Sequence, residues 1–277
     1  MSRKRPLPAH AITYLMEAKK PQKKAHKTPV HKEKIYIYGK HALVEALEST
    51  PQVIRKVFLS PEIRDTKLRA LLERYDIPVA TLNAKEGKTL AGRDAVHQGV
   101  IATMDPSKLL VSFEEFVKTL EPHKNPALAI LGEVQDPHNV GAIIRSAAAF
   151  GLSGVLIPEH NQAGVTGTVV KTSAGMAFRV PLVSIGNVNH TLEVLKERGF
   201  WIYGLAMNGS TTLGAEAFNT PSVFIVGNEG AGIREKTLEA CDVTLSIPMH
   251  ARTESLNAAV SAAIVFYEWS SKHPEAL

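Results

Sequence analysis

From residue 35 onward the chain alternates short β-branched apolar runs with stretches of helical hydrophobic period. Residues 35–38, 56–59 and 79–82 read as strands, as does the run from His97 to Met104. Between them, 40–47 carries Leu43 and Leu47 one helical turn apart, and 62–75 sets Ile63, Leu68, Leu71, Leu72 and Tyr75 on or near one face. A further helical stretch falls near 84–90. These elements predict a compact α/β domain over 35–105. Residues 106–126, with a short helix around 113–120 between proline-bearing ends, read as a linker.

A second α/β series starts at Ala127, with strands at 127–134, 154–157, 201–206, 222–226 and 243–247. Several are continuous apolar runs, the pattern of strands covered on both faces in a parallel sheet with crossover helices. Helices fit 140–150, closed by Gly151 at the C′ position, then 189–198, 234–240 and 256–269. The expected architecture over 127–277 is a mostly parallel sheet with helices on both sides, and ligands of such sheets bind at the carboxyl ends of the strands.

Composition narrows the classes. The 277 residues are 44% hydrophobic and 21% charged, with no run of about 18 apolar residues, so the chain reads as one or two globular domains and not as an integral membrane protein. A single cysteine, Cys241, offers neither an intramolecular disulfide nor a cysteine zinc site, and the expected setting is a reducing, cytoplasmic one without a metal.

Net charge is +5 but unevenly placed: residues 1–34 hold ten Lys and Arg against two Glu, a net of +8, which leaves −3 for the rest. That tail, with one short apolar stretch at 11–16, reads as mostly disordered, suited either to a polyanion or to a solubilising or targeting role. No apolar core of a secretory signal follows its basic start, and a transit peptide is disfavoured because Lys, not Arg and Ser, dominates.

Several chemistries lack a foothold. "GKT" at 87–89 has Leu82 where a phosphate-binding loop needs glycine, and "GNEGAG" from Gly227 reverses the dinucleotide-binding spacing. Neither His-Glu-x-x-His nor Gly-x-Ser-x-Gly occurs. His138, beside Asp136 and Pro137, reads as a turn histidine before it reads as a base.

Three segments are unusual. In "GEVQDPHNVGAIIRSAAAFG", 132–151, Asn139 stands at a helix start, where its side chain can cap, and Arg145 follows with the small neighbours Ala142, Ser146 and Ala149. Its guanidinium is open to a phosphate, or else pairs with a surface carboxylate. In "VFIVGNEGAGI", 223–233, a strand runs into three glycines around Glu229, either a backbone brought close to a ligand or a plain tight turn. In "LSIPMHARTESLNAAVSAAIVFYEW", 245–269, a loop through Ser255 and Asn257 joins a strand to a helix; Ser255 caps the helix, or the loop offers backbone groups to a small polar ligand.

Asn-x-Gly-x-x-x-Arg at 139–145, Gly-x-Glu-Gly at 227–230 and Ile-Pro-Met followed by Ser-Leu-Asn at 247–257, in that order, resemble the three motifs of the SpoU/TrmH family of RNA 2′-O-ribose methyltransferases, in the SPOUT superfamily. Ahead of them "YGKHALVEAL" and "AVHQGVIA" look like that family's substrate-binding domain, which is similar to ribosomal protein L30e. The resemblance runs from Tyr36 to the end and leaves the basic tail as an addition. It implies an L30e-like α/β substrate domain followed by a methyltransferase domain whose C-terminal segment threads a deep trefoil knot, an exception to the rule against knotted chains. It also implies S-adenosylmethionine bound against Leu205, Ala206, Gly227, Asn228, Gly230, Ile247, Met249 and Leu256, and a homodimer.

Asn139, Arg145, Glu229, Ser255 and Asn257 fall on the family's catalytic and substrate-orienting positions. By that resemblance Arg145 orients the 2′-hydroxyl or neutralises its alkoxide, Asn139 holds the Arg145 region, Glu229 orients Arg145 or the ribose, and Ser255 with Asn257 shapes the third loop. The group that removes the proton is left open. The implied activity is methylation of ribosomal RNA at a guanosine of the large subunit. The alternatives are a tRNA ribose methyltransferase and a non-catalytic RNA-binding protein.

Overall fold

The computed structural model describes residues 35–83, 87, 89–90 and 97–277. The basic tail lies outside the described residues, as does most of the helical stretch expected near 84–90.

Strands β1 (Ile35–Tyr38), β2 (Ile54–Leu59), β3 (Val79–Thr81) and β4 (Val100–Met104) form a sheet of order β1-β4-β2-β3. Strand β4 is antiparallel to β1 and β2, and β2 is parallel to β3. Helices α1 (Lys40–Ser49) and α2 (Thr66–Arg74) bury Leu43, Leu47, Leu68 and Leu72 in one core with Ile37, Val57, Ala102 and Met104. Asp65 starts α2 because its carboxylate accepts the Leu68 amide at 2.9 Å, and Lys40 pairs with it at 2.9 Å.

Residues 106–126 contain the expected short helix as α3 (Phe113–Thr119), which is capped by the Ser112 hydroxyl and buries Phe116 and Val117, and before it a strand not expected there, β5 (Leu110–Ser112). Strand β5 is joined by β6 (Ala127–Gly132), β7 (Gly154–Pro158), β8 (Leu182–Ile185), β9 (Trp201–Leu205), β10 (Thr211–Thr212), β11 (Ser222–Gly227) and β12 (Val243–Ser246). The order is β10-β12-β9-β11-β6-β7-β8-β5, with every pairing parallel.

The apolar run of β6 is explained by burial on both faces. Ala127, Ala129 and Leu131 pack with α4 (Pro137–Ala149) and α8 (Ala258–Lys272), while Leu128 and Ile130 face Phe116 of α3 and Leu192 and Leu195 of α6 (Val188–Glu197). Strands β5, β8 and β10 and helix α5 (Gly167–Thr172) lie outside the elements that periodicity predicts; each has six residues or fewer, too few for a period to declare itself.

Two helix starts differ from expectation. Asp136, not Asn139, caps α4 by accepting the His138 amide at 2.8 Å, with Pro137 at the first helical position. Asn257, not Ser255, caps α8 by accepting the amides of Ala259 at 2.9 Å and Val260 at 3.2 Å. The end of α4 is as expected: Gly151 takes φ +73°, and Leu152 N–H donates to Ala147 O at 2.9 Å. Gly141 of the first motif has a packing cause, since a Cβ there would stand 2.7 Å from Thr172 Cβ and 2.8 Å from Val169 O of α5.

Arg179, in the segment between α5 and β8, pairs with both oxygens of Glu45 on α1, with Nη2 donating to Oε1 at 3.0 Å.

Candidate active site

At the carboxyl ends of β9, β11 and β12 lies a cleft of about 400 Å3. All eight residues expected around a cofactor line it: Leu205 and Ala206 from the end of β9, Gly227, Asn228 and Gly230 from the end of β11, and Ile247, Met249 and Leu256 from the segment after β12. Glu229 and Ser255 line it too. Ile233, and Leu238 from α7 (Glu235–Glu239), complete the apolar wall together with the exposed Met207. No motif marks these three, because an apolar side chain turned to a ligand looks in sequence like one turned to the core.

The loop after β11 is folded tightly back. Asn228 and Gly232 exchange backbone hydrogen bonds at 2.9 and 3.0 Å, and Asn228 Oδ1 accepts the amides of Gly230 at 2.9 Å and Ala231 at 3.0 Å. Asn228 Nδ2 donates to Glu133 O at 2.9 Å, and Arg234 pairs with the Glu133 carboxylate at 2.5 Å, tying the loop to the end of β6. This course demands glycine at 227, where a Cβ would meet Gly232 C at 2.5 Å and Ile233 N at 2.6 Å.

The three motifs meet at Asn139. Its Nδ2 donates to Glu229 Oε1 at 2.9 Å, and its Oδ1 accepts from Asn257 Nδ2 at 2.9 Å. Asn139 is buried, and its amide oxygen and nitrogen each have a partner. Glu229 also accepts the amides of Gln135 and Asp136 at 3.4 and 3.3 Å. Burial raises its pKa, but the hydrogen bonds from Asn139 and these backbone amides outweigh it and hold the carboxyl below its ordinary value.

Arg145 stands apart. It is exposed and has no hydrogen bond or ion pair among the described residues, so neither Asn139 nor Glu229 holds it. Six residues separate it from Asn139 on α4, which turns the two toward different faces. A second, more open cleft of about 670 Å3 runs between α4 and α8, lined by His138, Asn139, Ala142, Ser146, Thr172 and Asn257, with Tyr267 at its far end.

Among the described residues no helix is long and apolar enough to cross a membrane, and no group of three or more His, Cys, Asp or Glu could hold a metal ion.

Comparison with known proteins places these features in a family. Residues 126–267 match the SpoU rRNA Methylase family, and residues 36–110 match the family of RNA 2′-O ribose methyltransferase substrate-binding domains. The chain is 37% identical over 236 residues to the 23S rRNA (guanosine-2′-O-)-methyltransferase RlmB of Neisseria meningitidis serogroup B, covering 84% of this chain and 93% of that protein. Among solved structures, a putative RNA methyltransferase of the TrmH family from Porphyromonas gingivalis is 26% identical with a TM-score of 0.66, covering 85% of this chain and 88% of that one. The fold is also that of the SpoU methyltransferase AviRb from Streptomyces viridochromogenes, crystallised with AdoMet, at a TM-score of 0.76 and 22% identity over 87% of this chain and 91% of that one. With its three motifs gathered at the carboxyl ends of one sheet, and a matching substrate-binding domain ahead of them in sequence, the chain belongs to the SpoU rRNA methylase family.

Proposed function

We propose that this protein transfers a methyl group from S-adenosylmethionine to a ribose 2′-hydroxyl of RNA, and that its target is a guanosine of large-subunit ribosomal RNA. The observation that carries this is the Glu229–Asn139–Asn257 chain of hydrogen bonds, which gathers three distant motifs at the rim of the cleft. The similarity to RlmB of Neisseria meningitidis over 84% of the chain supports the choice of RNA.

The cleft fits the cofactor. Its floor is backbone that glycine alone allows at 227, its walls are Leu205, Ile247 and Leu256, suited to a purine ring, and its volume of about 400 Å3 is in the small-molecule range. Bound there, S-adenosylmethionine supplies an electrophilic methyl group. The chain supplies position and charge. Asn139 and Asn257 fix Glu229 and the third loop, and Ser255 faces the cleft beside them. Arg145, free of partners among the described residues, orients the hydroxyl or neutralises its developing alkoxide, since a guanidinium cannot accept the proton.

Further features belong to this proposal. Residues 35–105 bind the RNA, 106–126 connect, 127–277 carry the transfer, and the basic tail adds sequence-independent contacts to phosphate. Strand β12, last in sequence, is inserted between β9 and β10 and not added at the edge, an order that supports a knotted course. A homodimer is supported by the exposed apolar side chains of Val260 and Tyr267 on α8, 46% and 59% exposed. A reducing, cytoplasmic setting suits the lone Cys241, whose thiol burial pushes up to about 11.

The test is transfer of labelled methyl from S-adenosylmethionine to deproteinised rRNA and tRNA from cells lacking this protein, with wild type beside Arg145→Ala. The variant should keep its stability within about 0.5 kcal/mol and lose the label, which should map to a 2′-O-methylguanosine of large-subunit rRNA. Label in tRNA would move the target, and cofactor binding without transfer to any RNA or to ribosomal particles would overturn the function.

A further inference from the structure

We infer that His138 takes the proton of the 2′-hydroxyl in the transfer proposed above, on which this inference rests. In-line attack forms an O–C bond to the methyl group while the C–S bond breaks and leaves its electron pair on sulfur, and the hydroxyl proton must pass to a base. The motif residues are poor recipients. The oxygen of Asn139 is engaged by Asn257, that of Asn257 by two amides of α8, and amides do not take protons at neutral pH. Glu229 is tied by Asn139 and two backbone amides.

Among the residues lining the two clefts, the ionisable ones are Glu229, His138 and Tyr267. Tyr267 packs edge-on against Phe150 and lies ten residues, about 15 Å along α8, from Asn257. His138 is adjacent to Asn139 and opens on the cleft that Asn139 and Asn257 line.

Among the described residues its ring is held by one contact, Nδ1 to Thr172 Oγ1 on α5 at 3.5 Å. With the Nδ1 proton donated there, Nε2 keeps a free lone pair. His138, Ala142, Arg145 and Ala149 follow one another at i, i+4, i+7 and i+11, a single stripe of α4. Arg145 is about 10 Å along the axis from His138 on that stripe, and because helical side chains lean toward the N-terminus a guanidinium there can reach back over small Ala142 toward the imidazole. A ribose between them meets a proton acceptor on one side and a cation on the other.

The full-length protein, S-adenosylmethionine and an unmodified large-subunit rRNA transcript suffice for the test. In His138→Ala kcat should fall by about 100-fold or more while KM for cofactor and RNA stays within about twofold, and added imidazole should restore part of the rate. His138→Gln, which keeps hydrogen bonding but holds no proton acceptor, should stay as slow. Independently of turnover, nitrogen NMR of the free protein should find the His138 ring protonated at Nδ1, and Thr172→Val should remove that preference. Retention of kcat in His138→Ala, a loss confined to KM, no rescue by imidazole, or protonation at Nε2 alone in the wild type would each overturn the assignment. A wild type that transfers no methyl would overturn the function with it, whereas an active wild type beside an equally active His138→Ala rejects His138 only.

Discussion

Asn257 Nδ2 donates to Asn139 Oδ1 at 2.9 Å, joining residues 118 positions apart through one buried amide. The same Asn139 donates to Glu229, so each of the three depends on the middle one. Removing Asn139 leaves Asn257 and Glu229 short of a partner. Asn139→Ala and Asn257→Ala should therefore each cost about 1–3 kcal/mol in urea unfolding. The double variant should cost less than the sum by more than about 0.5 kcal/mol, and additivity would show that the pair is not coupled.

Gly227 and Gly230 lie in the same loop and make opposite predictions. A Cβ at 227 would overlap backbone at 2.5 Å, whereas one at 230 would meet its nearest neighbour, Asn228 Oδ1, at an ordinary 3.6 Å. Gly227→Ala should abolish S-adenosylmethionine binding by calorimetry, and Gly230→Ala should weaken it by a few-fold at most. Equal effects would mean that the loop does not hold the cofactor through its close return.

Glu229 ties stability to pH. Burial works against its charge, but the donors from Asn139, Gln135 and Asp136 prevail and its pKa lies below the ordinary 4.5. A carboxyl with a lowered folded pKa contributes stability above the unfolded value, and the contribution is lost as pH falls through the folded one. Glu229→Gln should thus flatten the acid limb of the stability profile below about pH 4.5 without removing it, because Asp105, held down by Ser107 and Arg55, contributes to the same limb. Urea midpoints measured down the acid range check this; an unchanged slope would place the Glu229 hydrogen bonds outside the folded-state energetics.

The tail over 1–34, with its net of +8, should govern the salt dependence of RNA binding. Deleting it should weaken binding and flatten the slope of log K against log salt, by about 0.7 for each single-strand phosphate that the tail neutralises, while S-adenosylmethionine affinity stays unchanged. A slope that does not move would mean that the tail touches no phosphate.

Much of the sheet could be read from residues alone. The runs in β6, β7, β9 and β11 are apolar at nearly every position, as strands covered on both faces must be, and they announce themselves without help from neighbours. Strand β8 is hidden in a four-residue run that only parallel pairing to β7 and β5 makes into a strand. Six of the eight expected cleft residues lie in the second and third motifs and Leu205 and Ala206 come with the family resemblance, but Ile233 and Leu238 are marked by neither, since their side chains carry no mark of facing a ligand.

The parallel α/β class and the helix end at Gly151 are legible from the residues, because periodicity and local backbone sterics act within a few positions, whereas the need for glycine at 227 comes from the folded-back loop. Which of Asp136 and Asn139 caps α4, and which of Ser255 and Asn257 caps α8, is settled only by long-range contacts. All four side chains are competent to cap, and the choice depends on partners brought from other strand ends. Asn139 is released from the helix terminus to bridge Glu229 and Asn257, and a bond across 90 or 118 residues leaves no trace in either local sequence.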